Sequence, residues 1–179
     1  MNMNIFALAD DPVNSAKWQH DKHVVKMTLE SAQLISTAVR LRPDWATRCE
    51  PFFKLYKPTH QNHPCTKWAR MNSNNFRWLC EHGLALANEY SHRFWRTHKS
   101  KKIIEIGCKL ADKLSVCGNG KPTEFPLCMP DEYKSGDHVL SYRLYYLGEK
   151  IKPDSKWTNR RAELPDWLFE KALLVENNS

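Results

Sequence analysis

The sequence predicts an all-α fold: one compact helical domain, residues 1–179, with long loops and with residues 151–179 packing as a tail. Three observations carry this. Apolar side chains recur at three- and four-residue spacings from Asp21 to about Arg40. A second pattern of that kind follows His63-Pro64 and continues to about Thr97. No stretch of useful length alternates apolar and polar residues as a half-buried strand would.

The first element is a short apolar piece, Ile5-Phe6-Ala7-Leu8, expected to tuck under the fold. Asp10-Asp11-Pro12 then reads as a helix start, an acidic cap followed by proline in the first turn, for a short helix to Trp18. From Asp21, Val24, Val25, Thr28, Ala32, Ile35 and Val39 define one face, which Met27, Leu34 and Ala38 widen. Pro43 ends that helix. Residues 42–63 read as a proline-punctuated loop, long enough to be functional or to hold a short helix. The region after His63-Pro64 carries Trp68, Met71, Phe76, Leu79, Leu84, Leu86, Tyr90 and Phe94, with a kink or break expected at Asn72-Ser73-Asn74-Asn75. Ser100 is expected to cap a helix with Ile103, Ile104, Ile106, Leu110 and Leu114 on its face. A turn at Gly118-Asn119-Gly120, an irregular stretch from Pro122 to Pro130, a helix from about Asp137 to Lys150 and a short closing helix after Pro165 complete the chain.

Composition bounds the function. The chain has 179 residues, 41% hydrophobic and 26% charged, ordinary for a globular protein. No apolar run approaches the roughly 18 residues of a membrane span. The N-terminus lacks the basic start and apolar block of a signal peptide, so a cytoplasmic location and no membrane partner are expected. Twenty-seven Lys+Arg against 20 Asp+Glu give +7, a balance that serves solubility or favours a polyanionic partner such as DNA or a nucleotide. The six cysteines form no CxxC pair and read as free thiols, several in the core. His60, His63 and Cys65 lie close together, but no usual zinc spacing is present; neither metal nor cofactor is expected.

One feature of the first long helix stands out. His23, Lys26, Glu30, Gln33 and Thr37, spaced 3, 4, 3 and 4, form a polar line closely flanked by Val24, Val25, Met27, Leu29 and Leu34. It reads as a solvated face or as a site, in which apolar flanks suit a carboxylate to acid–base work. Lys26 and Glu30 also stand at the spacing of a mutually neutralising pair. A second candidate is Thr59-His60-Gln61-Asn62-His63-Pro64, dense in hydrogen-bonding groups and leading into a helix, with loop anchoring as its plainer reading. A third is Arg143, Tyr146 and Lys150, at spacings suited to gripping phosphate or stacking a base, or to plain helix surface. Asp21, Arg70 and Asn75 complete the candidate ligand-binding set with Lys26, Gln33, Asn62 and His63.

The stretch Asp21-Lys22-His23-Val24-Val25-Lys26-Met27-Thr28-Leu29-Glu30 resembles the first helix of the pyrimidine-dimer DNA glycosylase/AP-lyase family. That family has an Asp-x-His start and a catalytic glutamate nine residues after the aspartate, as Glu30 stands after Asp21. Its later histidine is similar to His63, and its C-terminal part to Pro130-Asp131-Glu132-Tyr133, Arg143 to Lys150 and Trp157 to Trp167. The whole chain also resembles short proteins of double-stranded DNA viruses that share Asn-Ile-Phe, Asp-Pro, Asp-Lys-His-Val-Val-Lys-Met and Asn-His-Pro; for a viral protein the location would be the host cytoplasm.

The glycosylase resemblance implies a compact helical fold and a catalytic set of Glu30, His23 and the α-amine of the first residue. The amine forms a Schiff base at the sugar C1′ while the glutamate assists ring opening and elimination. An α-amine with a pKa near ~8 is a better free-base nucleophile at neutral pH than a lysine near ~10.4. Here the large Asn2 keeps Met1 in place, so Met1 would carry the amine, with Lys26 as a substitute nucleophile; Leu29 stands where the family has arginine. The implied activity is cleavage of an N-glycosidic bond in DNA or a free nucleotide. The alternatives are a non-catalytic binder of nucleic acid or of a small phosphorylated nucleotide, and an interaction protein using some of its seven tryptophans.

Overall fold

A computed structural model describes residues 3–169. Its helices are α1 (Pro12–Lys17), α2 (Asp21–Arg40), α3 (Pro43–Ala46), α4 (Pro64–Ala69), α5 (Ser73–Phe94), α6 (Lys101–Lys113) and α7 (His138–Tyr145). Tight 3₁₀ turns lie at Phe52–Lys54 and Asp131–Tyr133, and a π-helical turn at Tyr146–Lys150 continues α7. No strand occurs among the described residues, so the fold is all-α. Among the described residues no helix is long and apolar enough to cross a membrane.

Local chemistry explains most boundaries. Asp11 caps α1 by accepting the Asn14 amide, ahead of Pro12. The long region after His63 divides where Asn72 accepts the Asn75 amide and starts a new helix. α5 stops at Phe94 because Trp95 takes a left-handed conformation, φ 56°. Three details sharpen the sequence reading. Pro43 opens α3 as well as closing off α2, so the 42–63 segment is partly helical. Ser100 precedes α6 without capping it; its hydroxyl bonds Tyr56 instead. The last long helix begins at His138, after an Asp137 cap, and changes pitch at Tyr146. Residues 166–169 are helical, and the remainder of the expected closing helix lies outside the described residues.

α2 is the central helix, packed on both α5 and α6. Two glycines permit the close approach. A Cβ on Gly83 of α5 would stand 2.9 Å from the Ser31 Cβ, and one on Gly107 of α6 would stand 2.6 Å from Ile35. The apolar face of α2 (Val24, Met27, Ala32, Leu34, Ile35, Ala38, Val39) is buried almost completely. The N-terminal segment from Met3 to Ala9 is equally buried. It crosses α2 antiparallel, placing Asn4 at Glu30 and Phe6 at His23.

A buried charge cluster ties the start of α2 to the end of α5. Arg93 is 1% exposed. Its guanidinium donates to Glu89 (3.1 Å), Asp21 (3.1 Å) and the carbonyls of Gln19 (2.8 Å) and Lys17 (2.9 Å). Asp21 also accepts from the Thr158 amide and hydroxyl, and Glu89 from Arg161, which fastens the C-terminal segment. Removing one member of such a cluster strands the others in low dielectric. Arg93→Met is therefore expected to destabilise the protein by about 3–5 kcal/mol, read from urea midpoints. An unchanged midpoint would contradict this account.

Candidate active site

The polar line on α2 is largely interior. His23, Glu30 and Thr37 are buried, Lys26 and Gln33 half-buried. Of the apolar flanks, Val24, Met27 and Leu34 are buried, whereas Val25 and Leu29 point outward, each 41% exposed. The solvated-face reading thus fails for this line.

Glu30 sits where three segments meet. It is 7% exposed. One carboxylate oxygen accepts the Asn4 backbone amide at 3.0 Å; the other pairs with Lys26 Nζ at 3.2 Å. The Asn4 side chain in turn donates to the Cys128 carbonyl at 2.9 Å and accepts the Ile5 amide at 2.8 Å. A carboxylate bonded to a backbone N–H of the N-terminal segment is held in one orientation.

His23 lies two turns earlier on the same face, about 10 Å away along the axis. It packs at a tilt against Phe6 (ring centroids 4.6 Å) and His20 (4.3 Å) and edge-on to Tyr146 (5.1 Å), and its Nδ1 is buried with no hydrogen-bond partner among the described residues. Burial lowers its pKa to about 2, helped by His20, Lys26 and Lys150. His23 is therefore neutral at physiological pH and packs the N-terminal segment onto α2.

A cleft of about 530 Å³ is lined by His63, Pro64, Leu127, Cys128, Met129, Pro130 and Tyr145, and Asn4 links its Cys128 wall to Glu30. Lys150 caps its Tyr145 wall, the ammonium 4.3 Å from the ring centroid. His63 precedes α4, and its Nδ1 accepts the Cys65 amide at 3.2 Å. Burial, with His60 beside it, holds His63 below the usual histidine range. The Cys65 and Cys128 sulfurs are 3.4 Å apart. Their shared hydrogen bond pushes the Cys65 thiol up and pulls Cys128 down. His63, Cys65 and Cys128 are the residues here that could hold a metal ion.

The other candidates go elsewhere. Thr37 exchanges hydrogen bonds with the Thr59 backbone and anchors the 42–63 segment to α2. Asn75 is fully buried, bonded to the Trp68 carbonyl and to Thr123. Arg70 donates to the Gln61 carbonyl. Asn62 is exposed at the mouth of α4. Asp21 belongs to the Arg93 cluster. The Arg143, Tyr146 and Lys150 face is broken up. Arg143 donates to the Leu8 carbonyl at 2.9 Å and lies over Trp18 and Trp167, and Tyr146 is fully buried with its hydroxyl accepting the His20 amide. Tyr146 thus has no free face for a base; of the three, Lys150 is joined to the cleft through the Tyr145 ring that it lies over. Met1 lies outside the described residues.

Sequence reasoning missed Asn4, Cys128 and Tyr145. Asn4 and Cys128 carry no local signal, since each matters through a partner distant in the chain. Tyr145 could have been found as the cleft-side neighbour of Tyr146 once α7 was placed. Residues 3–103 match the family described as pyrimidine dimer DNA glycosylase, a stretch holding Glu30, His23 and His63 but not Cys128 or Lys150. No curated protein and no solved structure matches the chain.

Proposed function

The chain belongs to the pyrimidine dimer DNA glycosylase family, and from that premise we propose that it opens an N-glycosidic bond in DNA with Glu30 as the acid–base group. The observation that carries this is the Glu30 carboxylate, buried and hydrogen-bonded to the Asn4 amide, three residues along the chain from Met1. In this reading the Met1 amine attacks the deoxyribose C1′, the bond from C1′ to the pyrimidine nitrogen breaks, and loss of the amine proton and ring opening leave a Schiff base. Glu30 delivers the proton for opening and accepts one in the elimination that follows. His23 contributes by position, packing Phe6 and thereby the segment that meets Glu30. Lys26 and Lys150 supply phosphate contacts, a role that the engaged guanidinium of Arg143 does not fill.

Borohydride reduction tests the covalent step. Incubating the protein with a duplex carrying one pyrimidine dimer, or one abasic site, is expected to give a stable cross-link that peptide mass spectrometry maps to the first residue. An adduct on Lys26 would move the nucleophile to that side chain. Absence of both adduct and base release, with DNA or nucleotide still bound, would overturn the enzymatic reading in favour of a binder.

A further inference from the structure

Three soft or borderline donors converge where α4 meets the irregular segment before Pro130. One ring nitrogen of His63 and the sulfurs of Cys65 and Cys128 all lie within 4.8 Å of one another. We propose that these three residues bind a zinc ion, leaving a fourth coordination position open to the cleft that His63 and Cys128 line.

The donor set is the first argument. Two thiols and an imidazole prefer zinc to the hard ions magnesium and calcium, which take oxygen ligands. Distance is the second. Thiolates bound at about 2.3 Å on a tetrahedral ion stand roughly 3.8 Å apart, and the sulfurs here are already at 3.4 Å. Support from behind the ligands is the third. Asn4 fixes the Cys128 backbone through its carbonyl, and Pro64 fixes the backbone between His63 and Cys65. The site is also reached from solvent, because His63 and Cys128 line the cleft, while Cys65, fully buried, lies against the Cys128 sulfur.

Binding releases both thiol protons to solvent, and the two thiolates neutralise the ion's charge. Coordination through Nδ1 of His63 gives up the bond that atom accepts from the Cys65 amide, whereas coordination through Nε2 keeps it. In return the ion staples residues 127–130 to α4 and so sets one wall of the cleft. The proposal does not depend on the glycosylase reading, because its readouts are metal content and spectrum.

The test uses the purified, fully reduced chain titrated with cobalt(II) and then zinc(II). One equivalent of cobalt is expected to give thiolate-to-cobalt charge-transfer absorption and the intense visible bands of a four-coordinate ion, both abolished by zinc. Cys65→Ser and Cys128→Ser are each expected to lower zinc affinity at least about a hundred-fold, while Cys117→Ser, at an exposed thiol, leaves it unchanged. Zinc should raise the melting temperature of the wild type but not of Cys128→Ser, whose metal-free melt shows independently that it folds. Metal binding that survives both variants, or no uptake by the reduced chain, would overturn the proposal. So would a Cys65–Cys128 disulfide, seen by mass, in a protein that takes up no metal after reduction.

Discussion

Glu30→Gln is expected to slow release of the base from a dimer-containing duplex by about 10²- to 10⁴-fold, with the fold and the DNA affinity nearly intact. The substitution keeps the shape of the side chain, and the amide oxygen still accepts from Asn4. What disappears is the ability to give and take a proton, together with the pair to Lys26. That pair is an i,i+4 contact with one partner 35% exposed, so its loss costs little stability. A variant that melts with the wild type and binds DNA like the wild type, yet fails in single turnover, assigns Glu30 to the chemistry. A single-turnover rate within about threefold of the wild type would remove it from that role.

The helical architecture was legible because its signals are local. The three- and four-residue spacing on α2, the Asp11-Pro12 start and the break at Asn72-Ser73-Asn74-Asn75 each lie within a few residues of what they determine. The errors arose where a distant partner competed. Ser100 has the right residue type for a cap, but its hydroxyl is bonded to Tyr56, 44 residues away. Arg143 and Tyr146 stand at the spacing of a ligand-facing stripe, but the N-terminal segment takes Arg143 through Leu8 and the start of α2 takes Tyr146 through His20. Spacing shows which residues share a face; it does not show what covers that face.

The site was half legible for the same reason. Glu30 and His23 emerged from periodicity and from the family pattern, and both lie under the N-terminal segment. The segment itself was expected only to be tucked in, and the bond from Asn4 to Glu30 spans 26 residues. The cysteines were counted by sequence spacing, which hides a cluster whose third member is 63 residues from the second. The Glu89–Arg93 pair was not singled out from the sequence, because its importance comes from burial and from the reach to Asp21.

Lowering the pH from 7 to 5 is expected to reduce folding stability by about 6 kcal/mol through three histidines alone. Burial depresses the pKa of His20 to about 4, of His23 to about 2 and of His82 to about 3, against 6.5 in the unfolded chain. The sign follows from proton uptake. Below pH 6.5 the unfolded chain binds a proton at each ring and the folded chain does not, so stability falls as pH falls, until each folded pKa is reached. Each ring accounts for about 2 kcal/mol over that interval, at 1.36 kcal/mol per unit. His82 shows why the folded form resists protonation. Its ring lies flat on Trp78 and its Nε2 is 3.2 Å from the Gln19 amide nitrogen, which donates to it only while that nitrogen is unprotonated. Urea midpoints at pH 7 and pH 5 measure the total, and His82→Leu should remove about a third of the pH dependence by deleting one of the three rings. Equal midpoints at the two pH values would mean that these rings exchange protons with solvent in the folded protein. The packing of His23 and Phe6 that holds the N-terminal segment against Glu30 would then have to be looser than the 4.6 Å ring contact implies.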